Sequence, residues 1–564
     1  MLCSRYCRSV LGPGRLRWLA VSALGLVLAS SAGADPLDRS QEVLRQAVER
    51  IEVEGSFDLG DARLAGTRLI PVLYERLGFH LAWTRRAMVE ELLAAVRDVE
   101  SHGLDPRDYH FAAIGSRLER GDWESDDPTA RVHLELLLTD SLARLVFTLH
   151  FGKLNPTQLD PVWNLSRTFE GIDAMKLLED VLRSGEIRQF GDQAPPQQAF
   201  YSRLRQALAD YRGVESAGGW PIVEDGPALE LDVVDSRVPV LRRRLAIGSG
   251  LIVGPEDSTE RYDEGLEAAV IDFQARHGLD ADGIVGPQTL EELNVPVEHR
   301  VDQLRASLER ARWVFRDLVD DLLVVDIAGF RLHLIRDGTE IWTTPVQVGL
   351  PYHSTPIFKS QMTYLVLNPT WTVPPGILRR ETLPKVRGDL DYLVKENMSV
   401  IDASGRRLDP ATLDLDARFP YTIRQEPGPN NALGRVKFMF PNPYMVYLHD
   451  TPSKSLFGKA SRAFSHGCIR VQDPLRLAEL LLEASPEWDG AAIERTLATK
   501  KTTTVLLPES LTVMLLYWTA EVTEDGTVVF KKDIYNRDAA VIRGLNDPFE
   551  FSPPHDLPED LQVF

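Results

Sequence analysis

Between Ser40 and about Arg212 the apolar positions of this chain recur at helical spacing. In SQEVLRQAVERIEVE, the side chains of Val43, Leu44, Ala47 and Ile51 fall on one face. MVEELLAAVRDVESHGLDP runs to Gly103 with Pro106 close behind, and SLARLVFTLHFGKLNP ends the same way at Gly152 and Pro156. Glycine followed by proline stops a helix, so these recurrences are punctuation rather than an internal repeat. The pattern predicts an all-α scaffold over residues 35–230 without catalytic residues of its own, in which Trp83 and Trp163 are core residues rather than ligand stackers.

Residues 226–235 are mixed in character and read as a linker. Beyond them Leu266, Val270 and Phe273 share one face of a helix closed by Gly278. Asp282-Gly283 and Gly286-Pro287 then turn the chain into a short helix starting near Gln288. A small three-helix domain is therefore expected over 231–297, followed by a connecting helix at 298–320. From Asp321 the period changes to two: Phe330, Leu332 and Leu334 oppose Arg331, His333 and Ile335, and Asp337-Gly338 supplies a tight hairpin turn. LTVMLLYWTAEVTEDGTVVFKKDIY repeats this pattern around Glu524-Asp525-Gly526. A mainly β domain is bracketed at 321–540. Residues 372–435, rich in Pro, Gly and charge and lacking clear alternation, form an insertion read as a cap, and 541–564 read as a C-terminal tail. The fold class is multidomain α+β.

The first 34 residues carry four arginines and no acid, then the apolar run Trp18 to Ala29, then Ala32-Gly33-Ala34. That order reads as an export signal cleaved after Ala34; the alternative is an uncleaved membrane anchor. Removing the four arginines moves the net charge from -20 to -24, which argues against nucleic acid as a partner. Cleavage also removes Cys3 and Cys7, leaving Cys468 without a disulfide partner in an oxidising compartment.

The surroundings of Cys468 suggest reactivity. A thiol attacks as the thiolate, and an unperturbed pKa of about 8.5 leaves it mostly protonated at neutral pH. In PYMVYLHD, alternation aligns Met445, Tyr447 and His449 on one face and Val446 and Leu448 on the other, which sets an imidazole at a strand end. Nineteen positions on, Cys468 stands in a loop or short strand leading to a helix with Asp473 as N-cap and Pro474 as its first residue. The N–H groups of Gly467 and Cys468 form a candidate oxyanion hole, and Arg470 offers a permanent charge for the thiolate or a substrate carboxylate. Other readings are an inert packed cysteine, a solvated surface His449, or a zinc site of His449, His466 and Cys468, whose spacing fits no familiar structural-zinc pattern.

His449, fifteen intervening residues, then Ser465-His466-Gly467-Cys468-Ile469-Arg470 resembles the catalytic motif of the L,D-transpeptidase family. NPTWTVPPGIL, PGPNNALGRVKFMF and YLHDTPSKSLF resemble its large periplasmic branch, which also carries a helical scaffold and a peptidoglycan-binding domain. Phe273-Gln274, Gly278-Leu279, Asp282-Gly283, Gly286, Thr289 and Leu293 match the signature of that small binding domain. The resemblance implies acyl transfer on peptidoglycan without metal or cofactor. Cys468 would be the nucleophile and His449 the base, oriented by the backbone carbonyl of Asp450. Ser465, His466, Gly467, Arg470, Tyr447 and Trp371 would contact substrate. The implied partners are peptidoglycan stem peptides and glycan strands, cell-wall synthesis enzymes, and carbapenems as covalent inhibitors. The implied location is the periplasm, or the inner membrane facing it if the signal stays uncleaved. Transfer to water or to a lipoprotein lysine would give a carboxypeptidase or an attachment enzyme, and a vestigial cysteine would leave a non-catalytic wall-binding scaffold.

Overall fold

The computed structural model describes residues 36–551 except 61, 161–162, 166–173, 250–257, 316–317 and 416–418. The expected signal, residues 1–34, lies outside the described residues. Among the described residues no helix is long and apolar enough to cross a membrane.

The scaffold is built around the helix Pro128–Phe151, buried along nearly its whole length from Val132 onward. Its buried Asp140 is satisfied internally: it receives the N–H groups of Ala65 and Gly66 and pairs with Arg144 and His110. Trp83 and Trp163 are both core residues. The expected connecting helix, Val297–Val314, is instead a buried element of this core, with Val301, Leu304, Leu308 and Ala311 packed inside. Its charges suggest a solvated face, yet Arg312 and Glu309 are fully buried and paired at 2.6 Å, and Arg312 also donates to the Tyr201 hydroxyl and the His102 carbonyl. Ion pairing inside the core disguises the apolar stripe.

The small domain comprises the helices Val238–Ser249, Glu264–Arg276 and Pro287–Leu293. The expected linker belongs to it: Leu229 is buried, exchanges backbone hydrogen bonds with Val285, and joins Val223, Leu241, Leu266, Val270 and Phe273 in one core. Gln274, 1% exposed, explains part of the signature. Its side chain donates to Asp282, the Ile284 carbonyl and Thr289, and accepts the Gly283 N–H, which locks the turn onto the helix.

The C-terminal half is organised by one large mixed sheet. Its strands, among the described residues, are β1 Leu322–Asp326, β2 Arg331–Arg336, β3 Thr339–Gly349, β4 Phe358–Leu367, β9 Val436–Met439, β10 Leu448–His449, β11 Ala463–Ser465, β12 Ile469–Val471 and β13 Thr503–Leu516. They run β11-β3-β12-β10-β9-β4-β13-β1-β2, and β2 pairs back onto β3, so the sheet closes on itself. Asp337 and Gly338 both have positive φ, as a two-residue hairpin matched to strand twist requires. Leu332, Leu334, Val346, Leu365, Phe438, Leu448, Ile469 and Val513 are fully buried in the core shared with the scaffold.

The insertion contains regular structure that alternation did not reveal. β5 Trp371–Thr372, β6 Met398–Ile401, β7 Arg407–Leu408 and β8 Thr422–Gln425 form an antiparallel sheet ordered β5-β8-β6-β7. Val373, Val386, Leu393, Val400 and Ile423 give it a separate core. Strands of two to four residues are too short to display a period. The expected tail also has a place in the fold. Helix Asp538–Asn546 and the rings of Phe549 and Phe551 pack on the scaffold, where Lys153 pairs with Asp108 and donates to the Leu545 and Asp547 carbonyls. Lys153 lies almost 400 residues earlier in the chain, so no local pattern announces this docking.

Candidate active site

Four adjacent strands build the site. β9 and β10 pair antiparallel with Lys437 opposite His449, β10 and β12 pair parallel with His449 beside Arg470, and β12 and β3 pair antiparallel with Arg470 opposite Gln347. Lys437, His449, Arg470 and Gln347 therefore form one row across one face of the sheet. Phe438, Leu448 and Ile469 point to the other face and are fully buried. Cys468 immediately precedes β12. The Ile469 N–H bonds to the Tyr447 carbonyl at 2.9 Å, which places Cys468 next to Tyr447 and one diagonal step from His449.

His449 is 4% exposed, and its Nδ1 lies 2.5 Å from the Asp450 carbonyl oxygen. A carbonyl only accepts, so Nδ1 carries the proton and Nε2 of the neutral ring keeps its lone pair. Burial, reinforced by the Arg470 charge, pushes the imidazole pKa down to about 3. The Asp450 carboxylate is engaged elsewhere: it receives the Arg435 and Thr451 N–H groups and pairs with Lys454 at 2.6 Å. Orientation by the backbone, not the carboxylate, is what the strand geometry dictates.

Burial raises the Cys468 thiol pKa, against the opposing influence of the Tyr447 amide, Lys437 and Arg470. The Sγ faces the Met445 carbonyl at 3.7 Å, and no hydrogen bond joins it to His449. The resting pair is thus neutral thiol and neutral imidazole, not a preformed ion pair. Strand β10 is shorter than expected: Met445 has φ +55 and stands exposed in the turn before it.

Several expected contacts have partners within the protein. Ser465 is 1% exposed; its hydroxyl donates to the Cys468 carbonyl and accepts the Gly467 N–H, so it shapes the loop rather than meeting substrate. Gly467 N–H is therefore occupied, which leaves the Cys468 N–H as the open donor of the expected pair among the described residues. Gly467 adopts φ +111, a conformation side chains disfavour. His466 is exposed and hydrogen-bonded to Glu381 of the insertion at 2.7 Å, which brings the cap to the rim of the site. Tyr447 supports Lys437, whose Nζ sits 3.8 Å from its ring centroid. Trp371 lies in β5, packed partly against the cap core, and no hydrogen bond or ring contact ties it to the thiol. Asp473 precedes helix Pro474–Leu482, but its side chain makes no capping bond. Among the described residues no group of His, Cys, Asp or Glu is arranged to hold a metal, and His466 turns to Glu381, so the zinc reading lacks geometric support.

Residues outside the motif hold the loop. Thr355, fully buried, donates to the Gly467 carbonyl at 2.9 Å and accepts the Gly349 N–H at 3.0 Å. Gly349 permits this approach: a Cβ there would lie 2.0 Å from the His353 carbonyl oxygen. The Tyr535 hydroxyl donates to the Gly349 carbonyl, and Arg537 links the Thr355 carbonyl to Asp160 of the scaffold. Nothing in the local pattern of these residues marks them, since each acts through contacts far away in sequence.

Residues 320–505 match the L,D-transpeptidase catalytic domain family. The sheet that carries the Cys468 loop is thus the part of the chain similar to L,D-transpeptidase catalytic domains. Residues 68–208 match a family described as a scaffold domain, and 235–293 one described as "Putative peptidoglycan binding domain". A Haemophilus influenzae protein named "Putative L,D-transpeptidase" is 37% identical over 222 residues, 39% of this chain and 45% of that protein. The chain thus spans less than half the length of this curated relative. Among solved structures, an L,D-transpeptidase from Mycobacterium smegmatis aligns over 35% of this chain and 58% of its own, with 15% identity and TM-score 0.17. One from Xylanimonas cellulosilytica aligns over 52% and 99%, with 15% identity and TM-score 0.16. The matched region places the 465–470 segment at the junction of β11, β12 and β10, with Asp160 of the scaffold reaching the loop through Arg537 and Thr355.

Proposed function

We propose that the protein is a cysteine L,D-transpeptidase that cross-links peptidoglycan in the periplasm. The observation that carries this reading is His449 fixed through Nδ1 on the Asp450 carbonyl, on the strand beside the one that Cys468 leads into, with no hydrogen bond to Nε2 among the described residues. The catalytic-domain match and the adjoining peptidoglycan-binding match support it.

In the proposed reaction, Cys468 Sγ attacks the carbonyl of the third residue of a tetrapeptide stem while His449 Nε2 takes the thiol proton. The oxyanion forms at the Cys468 N–H. As the C–N bond breaks, His449 returns the proton to the departing D-Ala amine. A side-chain amine of a second stem then attacks the thioester, with His449 removing its proton; the C–S bond breaks, His449 returns the proton to the departing Cys468 sulfur, and the product is a cross-link between third residues. The raised thiol pKa makes proton transfer part of the attack, a role suited to a neutral imidazole. Carbapenems would acylate the same sulfur. Digestion of purified tetrapeptide muropeptides, with products separated by mass, tests the proposal: cross-linked dimers and free D-Ala are expected, and unchanged substrate would overturn it.

A further inference from the structure

Lys437 occupies an unusual position. It is half-buried between Val436 and Phe438, both fully buried, and stands directly opposite His449. Among the described residues its ammonium has no hydrogen-bond or carboxylate partner, only the Tyr447 ring beneath it. Across the row Arg470 is likewise unpaired with any carboxylate; its guanidinium donates to Gln347, and its buried Nε has no partner. Charges withdrawn from water are normally paired. Two uncompensated cations flanking one thiol exceed what a single transient oxyanion or thiolate neutralises. Burial lowers the Lys437 pKa, and the ionisable group opposing that is Cys468 rather than any carboxylate among the described residues.

The strand order indicates which anion it meets. The nucleophile lies on the β12 side, His449 on β10 and Lys437 on β9. With the nucleophile on the β12 side, a leaving amine protonated by His449 would depart on the other side of the ring, toward Lys437. In a C-terminal amino acid the carboxylate is one carbon from that amine.

We propose that Lys437 is a specificity residue whose ammonium binds the free carboxylate of the amino acid expelled from the acyl donor, selecting peptides with an unblocked C-terminus. This rests on the proposed transpeptidase reading for the identity of the donor, but the anion subsite itself does not. Its test therefore has two arms. In the first, Cys468 is alkylated with iodoacetate and iodoacetamide, each rate normalised to that of glutathione. The wild type should favour the anionic reagent by about tenfold, as a charge-assisted contact provides. Lys437→Met should lose that preference and Lys437→Arg should keep it. In the second arm, tetrapeptide donors ending in carboxylate or carboxamide are compared by kcat/KM, with the same loss of discrimination expected in Lys437→Met.

Retention of both preferences in Lys437→Met would overturn the proposal, as would their loss in Arg470→Met alone. Anion-selective alkylation that depends on Lys437, in a wild type that turns over neither donor, would uphold the subsite and overturn the transpeptidase reading instead.

Discussion

His449 and Asp450 are joined ring to backbone, Nδ1 lying 2.5 Å from the carbonyl oxygen of the next residue in the chain. A carbonyl cannot take up the proton, so this contact fixes the tautomer without stabilising a resting imidazolium as a carboxylate would. Burial outweighs the contact's own pull toward the protonated ring, lowering the His449 pKa to about 3, and burial raises that of Cys468, so both groups rest neutral. The alkylation rate of Cys468 by iodoacetamide should therefore rise with pH through a midpoint above the ordinary thiol value of about 8.5. The sign follows from the thiol: raising its pKa shrinks the thiolate fraction at every pH below the midpoint. A reactive plateau extending below pH 6 would indicate a preformed ion pair and contradict this account.

Replacing the base should cost more than replacing the rim histidine. His449→Ala is expected to lower kcat/KM on a tetrapeptide donor by about a thousandfold, within the range of general-base catalysis. His466→Ala should cost less than tenfold, because it removes a contact to Glu381 rather than a proton carrier. Steady-state kinetics on both variants check the ranking, and the reverse order would mean that the roles are exchanged.

Glu381 connects the cap to His466 across 2.7 Å. With both side chains partly open to solvent, the pair is worth little to stability, on the order of 0–1 kcal/mol. Its loss should show in substrate handling. Glu381→Ala should raise KM for a disaccharide-tetrapeptide several-fold while leaving the iodoacetamide rate at Cys468 unchanged.

Thr355 holds two backbone groups of the loop, the Gly467 carbonyl and the Gly349 N–H. Thr355→Val keeps the shape but leaves both buried groups unmet, a penalty of about 1–3 kcal/mol for each unsatisfied group. Turnover should fall at least tenfold with the circular dichroism spectrum unchanged, and Thr355→Ser should recover most of it. Equal activity in the Val and Ser variants would show that the hydroxyl does not position the loop.

Much of this architecture was legible in the chain. Gly103 ends its helical run in a left-handed conformation, and Leu266, Val270 and Phe273 are buried together. The Asp337-Gly338 turn is also where the period changes indicate it. Local periodicity carries such features because each is decided within a few residues. What escaped depends on distant partners or very short elements. Arg312 and Glu309 mask a core helix by neutralising each other, Leu229 belongs to a domain through Val285, and the cap strands are too brief to alternate. In the site, the contact of His449 with the Asp450 carbonyl is the one that the family resemblance implied. Ser465 was misread as a substrate contact because its bond to the Cys468 carbonyl arises only when the loop folds. Lys437 was passed over because a lysine between apolar strand positions resembles an ordinary outward-facing residue until register sets it beside His449.

The central claim is that Cys468 carries the acyl group. Purified protein mixed with a disaccharide-tetrapeptide donor and quenched in acid should show an intact-mass increase equal to the donor minus D-Ala, and peptide mapping should place it on Cys468. Cys468→Ala should show neither the adduct nor release of D-Ala. Release of D-Ala by the Cys468→Ala variant at the wild-type rate would contradict the account.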